Sequence, residues 1–434
     1  MRVGTGATVA AGPLTGVRVL EFSQIVAASY TGVSLSDLGA DVVKVEPLAG
    51  EAYRDSGAVV PGEGKRFQSL NRGKRSVAID LHHERGQALV HRLVTGFDVA
   101  TINYRPGVAE RLRIDDRTLR TLHPGLIYCR ITGFGPEGPL AGHGATDLVA
   151  GAYSGLVAGN GKVDEDGAPS TLRPAVADYT TGLAGAMAIC AALYARRESG
   201  RGQLIDASLL QSALSIQDVY VMRQPVTDAT QRDRLMAEID RLRSEGGSYR
   251  AQLAARADYR RVGSRITRLY YSGYLAGDGA LVLGCLTRPT RAAARRVLGM
   301  ERDRTDSPDF DSTDPRNHEL AREWQEEIQA KMRTKTVAEW VALFEAAGVP
   351  VAPAHFPEEL ADDPQVAAMG IMVEVDHAVT GPQRVVGPIV RMSETPAVAR
   401  GPSPALAAHT EDVLAEHGLA PGEIAGLRAA GVIR

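Results

Sequence analysis

The chain has 434 residues, 44% hydrophobic and 23% charged, a balance that excludes global disorder and collagen-like composition. At roughly 150 residues per domain, the length predicts two to three domains. The 49 Lys plus Arg against 52 Asp plus Glu leave a formal charge of -3, which excludes polyanion binding driven by bulk charge, so any anion has to be gripped locally. Aromatic residues at 5% argue against a base-stacking platform, and no nucleic-acid partner is expected. Cys129, Cys190 and Cys285 lie far apart with no CxxC pair, so neither a disulfide framework nor a thiolate zinc site is expected. The first dozen residues contain no apolar run of signal-peptide length, and no stretch reaches about 18 uninterrupted apolar residues. The sequence therefore predicts a cytoplasmic protein with no membrane partner and a loose tail over residues 1–11.

From Val17 the text VRVLEF predicts a strand, residues 27–38 a helix with apolar residues at helical spacing, and DVVKVE a second strand. A crossover of this length joins parallel strands, and a parallel sheet needs helices on both faces. The rhythm continues through SVAIDL, the amphipathic ERGQALVHRLV, DVATINY, a capped helix over 115–122 and GLIYCRIT. Alternation over about 120 residues is the signature of a doubly wound α/β fold. After Gly133 the stretch GFGPEGPLAGHGATD is too broken by glycine and proline for either element and predicts a surface loop. A long apolar helix over about 179–194 follows, closed by Arg196, Arg197 and Gly200, which suit a helix C-terminus. QLIDASL then gives another strand leading into a helix.

Residues 222–268 carry charge on a helical period and predict exposed helices or a flap. GYLAGDGALVLGC predicts a hairpin with Gly-Asp-Gly at its turn, and the stretch through Trp324 and Trp340 to Gly348 is mainly helical. The resulting division is 12–221 for the first part of a large domain, 222–269 for a charged helical insert, 270–350 for a small α+β domain and 351–434 for a return to the large domain.

Gly133, Gly135 and Gly138 spell GxGxxG after a predicted strand, but Pro136 and Pro139 and the lack of a following helical pattern argue against a dinucleotide fingerprint. No GxSxG elbow occurs. His82 and His83 are adjacent at a helix start, which is poor metal geometry, and no spaced ligand cluster exists; no metal is expected. One carboxylate stands out by position. Asp178 lies at or just before the start of the long apolar helix. It reads either as an N-cap or as a carboxylate nucleophile presented beside helix N–H dipoles, and the two readings are compatible.

GPLTGVRVLEFS, SDLGADVVKVEP, SLNRGKRSVAIDL, NYRPGVAERL, HPGLIYCRITGFGPEGP, VADYTTGLAGAMA and RESGRGQLIDASLL, in this order, resemble the class III (family III) CoA-transferases. That group also holds carnitine CoA-transferases, formyl-CoA transferases and α-methylacyl-CoA racemases. The similarity continues through GVPVAP, DDPQV, GPQRVVGPIV and AAHTEDVLAEHGL, covering residues 12–221 and 270–434. It implies a Rossmann-like large domain built from both ends of the chain, a smaller inserted domain, and an interlocked homodimer. It also implies an enzyme whose substrates are an acyl-CoA and a carboxylic acid, with no permanently bound cofactor. Asp178 falls on the position of the family's catalytic aspartate. The expected chemistry is a mixed anhydride and then an aspartyl-CoA thioester on that side chain.

By position, the resemblance assigns Asn103, Tyr104 and Arg111 to the CoA site, and Lys74 and Arg75 to its nucleotide end. Val26 and Ala27 after the first strand, and Gly133, Gly135, Thr146 and Asp147 in the glycine-rich loop, are assigned to the active-site loops. Two departures bear on activity. The turn after the first strand reads IVAASY where the family commonly has an AGP-type turn, so formate or oxalate specificity does not carry over directly. Thr146 precedes Asp147 where the racemases place a catalytic histidine, with His143 three residues earlier, so a racemase reading lacks its second base. A CoA-binding homologue without catalysis is a third reading, supported by the VAAS turn and the 222–268 segment.

Overall fold

The structure is a computed structural model and describes residues 11–257, 269–311 and 314–434. The tail expected over 1–11 and the charged helices expected up to 268 fall partly outside the described residues. The chain divides into two compact units. Unit 1 comprises residues up to Lys162, Ser170–Met222 and Asp363–Arg434; unit 2 comprises Val163–Pro169 and Arg223–Asp362.

In unit 1, β1 (Arg18–Phe22), β2 (Asp41–Glu46), β3 (Arg75–Ala78), β4 (Val99–Ile102), β5 (Ile127–Thr132) and β6 (Leu204–Ser208) form one sheet in the order β3-β2-β1-β4-β5-β6. Every pairing is parallel. Val19 pairs with both Val42 and Val99, which puts β-branched side chains side by side across three strands. Because successive strand residues point to opposite faces, the alternation in VRVLEF divides the core in two. Leu20, Val43, Val77 and Ala100 pack on one face with Leu89, Val90 and Leu414. Val19, Val42, Val99 and Ile127 pack on the other with Leu35 and Ile189. Each fully buried Leu or Val contributes roughly 1.5–3 kcal/mol before chain entropy is counted.

The helix Val176–Ser199 lies on the second face. It is longer at both ends than its apolar pattern predicts, and it closes as expected with Arg196 and Arg197 in the last turn and Gly200 in the left-handed cap. By length and composition alone it would also cross a bilayer. In this fold its small residues admit a close approach to helix Ala27–Asp37. A Cβ added at Gly182 would sit 2.7 Å from the Ala27 carbonyl, and one at Gly185 would sit 2.8 Å from Thr31 Oγ1. Thr31 Oγ1 donates to the Gly182 carbonyl at 3.0 Å and ties the two helices together.

In unit 2, the hairpin β7 (Tyr271–Leu275) and β8 (Ala280–Gly284) forms as the Gly-Asp-Gly signal predicts. Tyr270, Leu281, Leu283, Trp324, Trp340 and Phe344 build its core. The strand β9 (Val351–Pro353), which the sequence reading gives to the C-terminal return, pairs antiparallel with β8 and belongs to unit 2. Three residues carry too little pattern to show which sheet they complete. The helix Arg232–Ser244 buries no residue and is laced by Arg241 with Glu238 and Glu245.

Candidate active site

The chain runs outward from β1 to β3 and then returns to β4 on the other side of β1, so the connections diverge at the C-terminal ends of β1 and β4. In parallel sheets this divergence leaves a crevice where ligands bind. A cavity of about 840 Å³ lies there, within unit 1. Its walls are the segments that follow the strands: residues 24–27 after β1, 47–49 after β2, 79–82 after β3, 103–106 after β4 and 132–133 at the end of β5. The GxGxxG run leads into no helix; the next one starts at Asp147.

Asp178 lines this cavity. It is the third residue of helix Val176–Ser199, and the cap position falls to Ala175, which has no side chain to offer the orphan N–H groups. The N-cap reading of Asp178 is therefore corrected. The capping acceptor comes from elsewhere in the chain: Asp147 Oδ1 accepts the Asp178 backbone N–H at 3.0 Å. Asp178 is 8% exposed, and among the described residues its carboxylate has no hydrogen-bond donor or cation paired with it. Burial, and secondarily the nearby Asp147 carboxylate, push its carboxyl from the ordinary 3.8 up to about 7. A carboxylate that is unpaired, desolvated and half ionised near neutrality is a competent nucleophile or base.

The other expected site residues separate into those at the cavity and those away from it. Val26, Ala27, Asn103, Tyr104, Gly133 and Thr146 line it. Asn103 nevertheless has its amide engaged: Oδ1 accepts from Gln24 N at 2.8 Å and Nδ2 donates to Gln24 O at 2.7 Å. Burial pushes the Tyr104 phenol upward, so it stays neutral. Gly135 and Asp147 are not part of the cavity wall. The Gly135 N–H donates to Thr132 Oγ1 at 3.1 Å, and Asp147 acts through the Asp178 amide.

Lys74 does not reach the cavity, and its assignment to the nucleotide end of CoA is corrected. Its ammonium is fully enclosed and its three donors are used: Glu21 Oε1 at 2.9 Å, Ser29 O at 2.8 Å and Asn71 Oδ1 at 2.9 Å. Arg75 likewise pairs with Asp41 and Glu416. Arg111 sits on the short helix Val108–Arg111 with Nη1 donating to Gly107 O at 3.1 Å, outside the cavity wall. His143 is also outside it. Arg105, which sequence reasoning missed, lines the cavity instead, and its exposed guanidinium has no partner among the described residues. The signal was present: β4 ends at Ile102, so the residues after it must reach the crevice.

A parallel six-stranded sheet with a buried carboxylate, unpaired among the described residues, at its C-terminal crevice defines an α/β protein with a candidate site at the strand ends. The family model of CoA-transferase family III matches residues 14–410, and the chain belongs to that family; it is an enzyme that transfers CoA. It is 31% identical over 414 residues to the succinyl-CoA:glutarate CoA-transferase of Mus musculus, covering 93% of this chain and 86% of the relative. It is 31% identical over 420 residues to the succinate–glutarate CoA-transferase of Agrobacterium fabrum, covering 93% and 95%. Among solved structures, that of Rv3272 from Mycobacterium tuberculosis superimposes with a TM-score of 0.71 at 27% identity, covering 93% of this chain and 99% of that one.

Proposed function

We propose that this enzyme moves CoA from an acyl-CoA to a carboxylic acid through covalent intermediates on Asp178. The observation that carries the reading is the buried Asp178 carboxylate, unpaired among the described residues, in the wall of an 840 Å³ cavity. In the first step an Asp178 oxygen attacks the thioester carbonyl carbon, the C–S bond breaks, and CoA leaves as the thiolate. The thiolate then attacks the Asp178 acyl carbon of the mixed anhydride, releasing the donor acid as its carboxylate and leaving an aspartyl-CoA thioester. The acceptor carboxylate attacks that thioester, the thiolate leaves again, and its return to the acceptor's acyl carbon frees Asp178. Donor and product are both thioesters of carboxylic acids, so the overall exchange is nearly balanced, and the route through Asp178 divides it into successive acyl transfers.

Arg105 supplies the local grip on anionic CoA that a chain of charge -3 requires. An Arg105→Ala enzyme is expected to show a KM for acyl-CoA raised about tenfold with kcat changed far less, the worth of one charge-assisted hydrogen bond. Steady-state kinetics with varied acyl-CoA checks this; an unchanged KM would remove Arg105 from the binding site.

The Asp178 ionisation sets the pH dependence. Activity is expected to fall as pH drops through about 7, because protonation removes the nucleophile. Asp147→Asn keeps an oxygen that can accept the Asp178 N–H but removes the like charge, so the acid limb of kcat/KM is expected to move to lower pH. A limb that stays in place would mean that the Asp147 charge does not contribute to the titration.

The names of the relatives make succinyl-CoA and small dicarboxylic acids the first donors and acceptors to test. Exposed apolar residues such as Met187, Tyr194 and Val219 support a homodimer, and the three unpaired thiols support a reducing, cytoplasmic setting. The reaction needs no cofactor beyond the CoA it carries. Hydroxylamine added with acyl-CoA is expected to trap a hydroxamate on Asp178, located by peptide mass. Transfer without such an adduct would refute the covalent route.

A further inference from the structure

The turn that follows β1 holds a strained residue. Ile25 has φ of 65°, in the left-handed region, where a β-branched side chain crowds its own backbone. The next residues, Val26 and Ala27, are nearly buried and form part of the cavity wall. Something must hold this conformation against relaxation.

Side chains from neighbouring strand ends pin the backbone of this turn residue by residue. Lys44 Nζ donates to Ser23 O at 3.0 Å. Asn103 clamps both backbone groups of Gln24. Glu51 Oε2 accepts the Ile25 N–H at 2.9 Å. Glu51 is itself buried. Its Oε2 lies 3.7 Å from Lys44 Nζ, and its Oε1 has no hydrogen-bond partner among the described residues. That leaves the Ile25 amide as the hydrogen bond its side chain receives. A buried carboxylate committed in this way, with one oxygen left unsatisfied, is costly for stability alone.

Resting on the transferase reading above, we propose that Glu51 is a positioning residue for CoA transfer. It holds Ile25 in the left-handed conformation and so fixes the 24–27 turn as a wall of the cavity that contains Asp178. It touches no reacting atom.

The test is a double-substitution cycle in the full chain, with Glu51→Ala made in two backgrounds, Ile25 and Ile25→Gly. With Ile25 present, Glu51→Ala is expected to lower kcat about tenfold while the KM for acyl-CoA changes little, since one left-handed β-branched residue is worth about that factor. In the Ile25→Gly background, each ratio taken within its own background, the same substitution is expected to change kcat less than about twofold, because glycine adopts the conformation unaided. Crystal structures supply a second readout: Ile25 is expected to leave the left-handed region in Glu51→Ala. Glu51→Gln, which keeps an acceptor oxygen, is expected to retain it. Equal losses in the two backgrounds would overturn the proposal, as would Ile25 staying at positive φ without Glu51, or an unfolded Glu51→Ala chain that Ile25→Gly does not rescue. If the unsubstituted enzyme gives no adduct on Asp178, the covalent reading fails instead, and the φ of Ile25 still decides the role of Glu51.

Discussion

The Asp178→Asn enzyme is expected to lose CoA transfer by roughly a thousandfold or more, to give no hydroxamate with hydroxylamine, and yet to be more stable than the unsubstituted protein at pH 8. The first two losses follow from removing the only group proposed to carry the acyl chain and CoA. The gain in stability follows from linkage. The Asp178 carboxyl is raised to about 7 in the folded state from an ordinary 3.8. Below pH 3.8 both states hold the proton. Between 3.8 and 7 the unfolded chain releases it first, so stability falls as pH rises through that window and stays low above it. Asparagine does not titrate, so its advantage is expected to grow from pH 5 to pH 8, on the order of a few kcal/mol at most. Urea unfolding at the two pH values measures it. A variant equally stable at both, relative to the parent, would mean Asp178 is better solvated than its burial implies.

Lys74→Met is expected to destabilise the fold by about 3–5 kcal/mol, the cost of breaking a buried ion pair from one side. Glu21 stands in β1 with its side chain fully buried, and Lys74 is its nearest cation at 2.9 Å; Lys44 lies farther off at 3.4 Å. One Glu21 oxygen, Oε2, is already without a partner among the described residues. Burial pushes the Lys74 ammonium down to about 8, so the pair is not itself a large source of stability. The loss comes from the charge left behind. The urea midpoint checks this, and a midpoint unmoved by the substitution would show that Lys44 alone suffices to neutralise Glu21.

These two side chains also show which parts of the molecule local sequence patterns reveal. The sheet was legible because β1 to β6 are short apolar runs separated by helical periods, and each run needs only its own residues to show its character. Asp178 was legible as a helix-start carboxylate, but its place within the first turn was not. The acceptor that caps the turn is Asp147, 31 residues away, and no nearest-neighbour pattern contains it. The resemblance assigns Lys74 to the nucleotide end of CoA, and its partner Glu21, 53 residues distant, gives no local sign of the pair. In NYRPGVAERL the resemblance points to Arg111 and passes over Arg105. The short helix Val108–Arg111 turns Arg111 away from the cavity wall, and four residues are too few for a periodic signal.

The edge of β3 is completed by residues made long after it. His409 N donates to Ser76 O, Asp80 N to Val432 O, and Ile433 bridges Ile79, one of the residues that bounds the cavity. The separation between Ser76 and His409 is 333 residues. At roughly 5–20 residues per second, a ribosome needs tens of seconds to cover it. Throughout that interval the nascent sheet presents an open hydrogen-bonding border, and unit 2 is translated in the meantime. An open edge of this kind is a template for pairing with other chains, so for this enzyme the hazard of misassembly is concentrated before the C-terminal segment closes the border.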